Sequence, residues 1–192
     1  PLQGHSNEEC LEVIDGERLR RKFRLRRYGL EDGKHFFEVK ARLNRAVLKR
    51  RARATQDDVL ALLRDPFASP LAEAIGDHAA ELARLPHAPV LTVVYDRIAL
   101  EDLLGTPLRA TLDLSVRCGG PELFEREVKI DDLRVLPPGL AVLELKFQGR
   151  LPGWLGRTIV ELELTARDYS KYGLAVKRFI EKAPLIAELA PS

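Results

Sequence analysis

The stretch Arg20-Arg21-Lys22-Phe23-Arg24-Leu25-Arg26-Arg27-Tyr28 sets the fold of this chain. Its alternation predicts a β-strand, because successive side chains on a strand point to opposite faces. Lys22, Arg24, Arg26 and Tyr28 then share one face, and Phe23 and Leu25 the other. A strand with an apolar back and a row of cations in front is explained in one of three ways: a solvated outer face, a nucleic-acid patch or a pocket for a polyanion. Repetition of the pattern on other strands separates them.

It does repeat. Asp15-Gly16 and Asp32-Gly33 are hairpin signals on either side of the basic strand. His35 to Arg42 alternates Glu38, Lys40 and Arg42 against Phe37, Val39 and Ala41, and Leu43-Asn44 turns the chain again. Arg45 to Arg53 sets Val47, Lys49 and Arg51 against Ala46 and Leu48. Three strands joined by tight turns predict an antiparallel meander. Residues 1 to 8 show no such pattern and are expected to be a loose lead-in.

Thr55 is a good helix N-cap, followed by Asp57 and Asp58 in the first turn and by Val59, Leu60, Leu62 and Leu63 at helical spacing. A second helix is expected from about Pro70 to Leu85, with a stripe of Leu71, Ala74, Ile75, His78, Leu82 and Leu85. Pro86 and Pro89 bracket the return to strand. Val90 to Leu100 carries Leu91, Val93, Tyr95 and Arg97 on one face. Pro107 to Val116 carries Arg109, Thr111 and Asp113 opposite Leu108, Ala110, Leu112 and Leu114. Gly119-Gly120-Pro121 is a loop, Lys129 to Leu136 is poorly patterned, and Ala141 to Phe147 sets Val142, Glu144 and Lys146 against Leu143, Leu145 and Phe147. The pattern turns helical from Pro152. Asp168 to Tyr172 is a junction, and Gly173 to Leu189 a terminal helix.

A chain of 192 residues suits one substantial domain, or a domain plus a helical appendage. It is 45% hydrophobic and 31% charged, with a net charge of only +2 despite 31 Lys and Arg, so any cationic site must arise by local segregation. No run is long and apolar enough for a membrane span, and no signal peptide is visible. Cys10 and Cys118 are isolated, and the four histidines (His5, His35, His78, His87) lack ligand spacing. The expected location is cytoplasmic.

The strand faces read Arg24/Arg26, Glu38/Lys40, Lys49/Arg51, Arg97, Arg109 and Lys146, an excess of cations over acids. Two cations ~7 Å apart repel by roughly 0.6 kcal/mol in water and roughly 2.4 kcal/mol at an effective dielectric near 20. On an open face that cost is small. Enclosed, so many cations require a bound polyanion or opposing carboxylates. Aromatic platforms are scarce on the basic strands, which argues against a nucleic-acid partner.

The runs Lys22 to Gly29, Phe37-Glu38-Val39-Lys40, Lys49-Arg50-Arg51, Tyr95-Asp96-Arg97, Arg109 to Asp113, Val142 to Phe147, Pro152-Gly153-Trp154-Leu155 and Ser170-Lys171-Tyr172 together resemble the VTC-type polyphosphate polymerase domain. The resemblance covers nearly the whole chain from about residue 10. It implies a single α+β domain over residues 1–192 with the triphosphate tunnel metalloenzyme (CYTH-like) fold: an antiparallel β-barrel with flanking helices and a C-terminal helix. It implies an ATP-dependent transferase that extends inorganic polyphosphate with Mn²⁺ or Mg²⁺. Arg24, Arg26, Lys40, Lys146 and Lys171 would be the catalytic cations. Lys49, Arg51, Arg97 and Arg109 would join them in binding phosphates, and Glu144 would hold the metal. Glu38 and Asp113 would be metal ligands or ion-pair partners that orient the cations, and Ser170 and Tyr172 would fix the junction. Arg20, Arg21 and Arg27 would be outer or turn-proximal charges. The family's usual strands before Cys10 are expected to be absent, leaving the barrel incomplete. A triphosphate hydrolase of the same fold and a non-catalytic module binding polyphosphate or inositol phosphates are the rival readings.

Overall fold

In a computed structural model of the chain, residues 2–13, 19–28, 34–43, 46–84, 90–101, 107–120 and 133–180 are described. Among the described residues, seven antiparallel strands form one sheet: β1 (Leu2–Val13), β2 (Leu19–Tyr28), β3 (Lys34–Leu43), β4 (Ala46–Arg53), β5 (Leu91–Glu101), β6 (Arg109–Gly119) and β7 (Val142–Lys146). The helices among these residues are α1 (Gln56–Arg64), α2 (Ala72–Ile75), α3 (His78–Arg84), α4 (Gly153–Glu161) and α5 (Lys171–Phe179). The strand order is β4-β3-β2-β1-β5-β6-β7. The fold is thus mixed, with the expected antiparallel sheet. Among the described residues no pairing joins the edge strands β4 and β7 into a barrel.

The largest departure from expectation is β1. Residues 1 to 8 were expected to be a lead-in, yet Leu2–Val13 lies at the centre of the sheet, paired with β2 on one side and β5 on the other. Its first half, Gln3-Gly4-His5-Ser6-Asn7-Glu8, has no apolar alternation to announce a strand. Backbone ladders on both sides impose the extended conformation there, whatever the side chains prefer. A strand therefore does precede the basic one.

The apolar back of β2 and β3 behaves as predicted. Phe23, Leu25, Phe37 and Val39 are buried against Val59, Leu62, Leu71, Ile75, Ala79 and Leu82 of the helical segment. Arg27 follows the same alternation and is buried, so it is not the outer charge expected of it. The expected helix over 70–85 is two pieces, because Gly76 closes α2 in the left-handed region at φ 55. A Cβ at Gly76 would lie 3.2 Å from the Arg50 guanidinium carbon, which is a second reason for glycine there.

The core changes sides along the sheet. Leu91, Val93 and Tyr95 of β5 and Val116 and Cys118 of β6 are buried with Ala175 of α5, Val135 and Leu136. Directly paired residues share a face, and Tyr28 pairs with Ser6, which pairs with Tyr95. The second core therefore lies on the face that carries Arg24 and Arg26, opposite the first. A bulge assists this. Val94 pairs with Arg117 but Asp96 with Leu114, leaving an extra residue in β6 where Ser115 has φ 51. The bulge brings Val116 and Cys118 onto the face of Asp113, which strict alternation would not allow.

The loop signals at Asp15-Gly16, Asp32-Gly33, Asn44, Pro86, Pro89 and Pro121 lie outside the described residues, as do the terminal helix beyond 180 and the first half of 129–136. α5 begins at Lys171, inside the expected junction, with Ser170 as its N-cap accepting from the Gly173 amide at 3.1 Å. None of the helices, over the described residues, is long and apolar enough to cross a membrane.

Thr55 caps α1 as predicted: its hydroxyl accepts from the Asp58 amide at 3.1 Å, and the Asp58 carboxylate accepts from the Thr55 amide at 2.8 Å. Replacing Thr55 with Ala should destabilise the fold by about 1 kcal/mol, while Thr55→Ser should be near neutral. Urea denaturation of the two variants checks this.

Candidate functional site

Strand register turns the basic alternation into three rows across one face. Lys22, Lys40 and Lys49 are in register, as are Arg24, Glu38 and Arg51, and then Arg26, Phe36 and Arg53. The rows differ in how their charge is met. In the second, Glu38 takes Arg24 Nε at 2.6 Å, Arg51 Nε at 3.4 Å and, from the third row, Arg26 Nη1 at 3.6 Å. Arg26 also donates to the Tyr28 hydroxyl at 2.8 Å. The lysine row sets three cations side by side on β2, β3 and β4, and beyond Lys22 the register continues to Glu12 of β1. Partial burial, then the charges of Lys49, Lys22, Arg24 and Arg42, hold the Lys40 ammonium below the ordinary lysine value.

A second cluster lies farther along the same face, on β5, β6, β7 and α5. Asp113 has no exposed surface, and Arg97 grips it with two hydrogen bonds, Nε to Oδ1 at 2.6 Å and Nη2 to Oδ2 at 2.8 Å. Lys171 Nζ, at the start of α5, donates to Oδ2 at 2.6 Å. Burial by itself raises the Asp113 pKa, but the hydrogen bonds and charges of Arg97 and Lys171 outweigh it and hold the carboxyl below the usual range. The Tyr95 ring lies under both cations, 5.0 Å from the Arg97 guanidinium and 5.1 Å from Lys171 Nζ.

Glu144 borders this cluster, with Lys146 Nζ at 3.0 Å and Arg97 Nη2 at 3.9 Å. Burial raises its pKa as well, and is overcome by the Lys146 hydrogen bond and by Lys146, Lys171 and Arg97 as charges. Thr111, in register with Glu144, has a buried hydroxyl without a hydrogen-bond partner. The two clusters meet at α5, where Lys22 Nζ lies 5.8 Å from the centre of the Tyr172 ring.

The predicted residues therefore fall into two groups on one face. Arg24, Arg26, Lys40, Lys49 and Arg51 form the first; Arg97, Lys146, Lys171 and Glu144 form the second. Arg109 stands apart at the sheet's far end, in register with Lys146 but exposed and ion-paired to Glu101 at 2.5 Å, beside a cleft lined by Pro107, Leu108 and Phe147. Glu38 and Asp113 both serve as ion-pair partners. Lys22, Phe36 and Tyr95 were given no site role from sequence. All three carry the same signal, an i, i+2 spacing to Arg24, Glu38 and Arg97, but an aromatic residue on a strand is most simply read as core.

The fit to a divalent metal is narrow. Among the described residues no group of three His, Cys, Asp or Glu could hold one, and Asp113 is saturated by its cations. Glu144 and the orphaned Thr111 hydroxyl suit an ion that draws its remaining ligands from phosphate oxygens and water, as Mg²⁺ commonly does. Burial pushes the Cys118 thiol up to about 11 against the opposing charge of Arg178, so it is no nucleophile at neutral pH.

Asp113→Asn leaves two cations without their carboxylate and should cost about 3–5 kcal/mol. The sign of the pH effect is fixed by the lowered pKa. The wild type keeps this stabilisation above the ordinary Asp value and loses it as pH falls through the lower folded one. Urea midpoints across acidic pH should show that loss in the wild type and a flatter profile in the variant.

Comparison with known proteins adds a family. No curated protein matches the chain. Among solved structures, "Structure of PH1819 protein from Pyrococcus Horikoshii OT3" aligns with a TM-score of 0.45 at 14% identity, over 95% of this chain and 87% of that one, a likeness too slight to carry an argument. The family model described as VTC domain matches residues 6–180, nearly the full length of the sheet and helices described above, and the chain belongs to the VTC domain family.

Proposed function

We propose that the cationic face binds triphosphates and inorganic polyphosphate, and that the chain transfers the γ-phosphoryl group of ATP to the end of a polyphosphate chain. The observation that carries this reading is the alignment of Lys22, Lys40 and Lys49 side by side on three adjacent strands, on the same face as Arg97 and Lys171. Membership of the VTC domain family supports it.

Phosphoryl transfer asks for positioning and charge neutralisation more than for a protein nucleophile. A terminal oxygen of the acceptor chain attacks the γ-phosphorus, the bond to the β,γ-bridging oxygen breaks, and ADP leaves with that oxygen's charge. Arg24, Arg26 and Arg51 supply planar forks and Lys40 and Lys49 compact charges along the chain. Arg97 and Lys171, held by Asp113, present cations whose positions are set before substrate arrives, which lowers the cost of reorganisation. Lys146 accompanies them, and Arg109 serves from the rim. Glu144 would hold Mn²⁺ or Mg²⁺, which when bound supplies charge neutralisation to phosphate oxygens. The partners on this reading are ATP and inorganic polyphosphate, the whole chain acts as one domain, and the setting is the cytoplasm.

The test is incubation with ATP and Mn²⁺ or Mg²⁺, with products resolved by length. Long-chain polyphosphate together with ADP is expected. Phosphate release alone would replace the transferase with a hydrolase, and tight tripolyphosphate binding without turnover would replace it with a binding module.

Lys40 gives a second check. Bound phosphate favours its charged form, so binding takes up a proton once the free ammonium begins to titrate. Affinity for tripolyphosphate should hold below the lowered Lys40 pKa and fall as pH rises through it, sooner than an ordinary lysine would give. Lys40→Arg should remove that early fall. Lys40→Gln should cost about tenfold or more at neutral pH, the scale of one charge-assisted hydrogen bond. Calorimetric titration against pH measures all three.

A further inference from the structure

At one end of the face, Arg51, one of the phosphate-binding cations, carries a second chemistry. The Arg51 guanidinium carbon lies over the Phe36 ring, 3.7 Å from its centre, and 5.7 Å from that of Tyr28. The two rings meet edge to face, with centroids 5.9 Å apart and planes at 77°. Glu38 Oε1 lies 3.4 Å from Arg51 Nε and tethers the guanidinium there, and Arg26 donates to the Tyr28 hydroxyl. The Arg51 side chain remains 48% exposed and Tyr28 37%. The result is a flat cation with one side on an aromatic ring, its edge tied to a carboxylate, and open surface remaining.

The charge of the face is graded in the same direction. At this end Arg24, Arg26 and Arg51 share Glu38, whereas two residues along each strand Lys40 stands in register between Lys22 and Lys49, three cations on three adjacent strands. Two residues of strand span about 7 Å. A ligand with a flat aromatic group at one end and a chain of negative charge at the other matches both ends at once.

We infer that Tyr28, Phe36 and Arg51 form a base-stacking platform for the purine of a nucleoside triphosphate, with the phosphates directed toward the lysine row. A purine laid on the open side of Arg51 extends the Phe36–Arg51 stack and gains both stacking and cation–π attraction. Tyr28 walls one side of the platform. Glu38 is placed to accept a hydrogen bond from a ribose hydroxyl or an exocyclic amine. The face is then directional, with nucleoside at the aromatic end and a growing chain at the lysine end. This inference rests on the proposed triphosphate-binding function and adds to it the position and class of the base.

Calorimetry of ATP and of tripolyphosphate, each with Mg²⁺, on the wild-type chain and on Tyr28→Leu and Phe36→Leu separates the two readings. The expected result is a loss of about tenfold in ATP affinity with tripolyphosphate unchanged within about twofold, which also certifies that each variant folds. The wild type should bind ATP more tightly than UTP, and the variants should lose that preference. Tyr28→Leu stands as the test if Phe36→Leu, at a half-buried position, does not fold. Equal losses for both ligands, or no loss of ATP affinity, would overturn the platform and leave the phosphate site standing. Failure of the wild type to bind either ligand would overturn both. Tighter binding of a short single-stranded oligonucleotide than of ATP would replace the free nucleotide with a nucleic-acid partner.

Discussion

A carboxylate with no exposed surface holds the front of this molecule together. Asp113 takes two hydrogen bonds from Arg97 on the neighbouring strand and one from Lys171 at the head of α5. Desolvating a carboxylate costs several kcal/mol unless cations and hydrogen bonds meet it, so this residue requires both partners in place. It also fixes them. Lys171 is the first residue of α5, and α5 supplies Ala175, Val176 and Phe179 to the second core. One ion triad thus couples the seating of a helix to the position of two cations.

Glu38 plays a looser version of the same part. It is half-buried and is shared among Arg24, Arg26 and Arg51, two of them in its own row. Its effect is to spend most of the positive charge of that region internally. In the lysine row Lys40 registers its surroundings as a pKa held down by burial and by four neighbouring cations. Where carboxylates sit among the rows therefore matters more to ligand preference than the total count of Lys and Arg. The net charge of +2 gives no hint of this.

Much of the fold was legible because period-two alternation is a direct consequence of strand geometry. Phe23, Leu25, Phe37 and Val39 lie inward, and Lys22, Arg24, Lys40 and Arg51 lie on the other face, as alternation requires. Thr55 was legible as a cap because its chemistry is local. β1 was not, since its order is imposed by partners that are distant in sequence. The reversal of core side between β2–β3 and β5–β6 was equally hidden. It depends on an extra residue at Ser115, which no apolar pattern marks, and on register carried through β1. At the site, the cations could be chosen by residue type and resemblance. The division of labour between Glu38, Asp113 and Glu144 could not, because three carboxylates on alternating strands look alike until their neighbours are known. Phe36 was overlooked since Phe37, one residue on, is the core residue and the two look identical in sequence.

The central place of β1 has a consequence for how the molecule comes into being. Cys10 pairs with Arg24 on one side and Leu91 on the other. The first pairing closes a short hairpin; the second waits until β5 has emerged and must close a loop that contains three strands and three helices. Chains dominated by such distant pairings fold slowly, because loop closure comes before the contacts that reward it. The meander of β1 to β4 with α1 to α3 can form early as a unit, with β1 leaving one strand edge open until β5 arrives. An open edge invites pairing with another chain. During synthesis the strand that later joins the two halves of the cationic face is thus also the segment most exposed to misassembly.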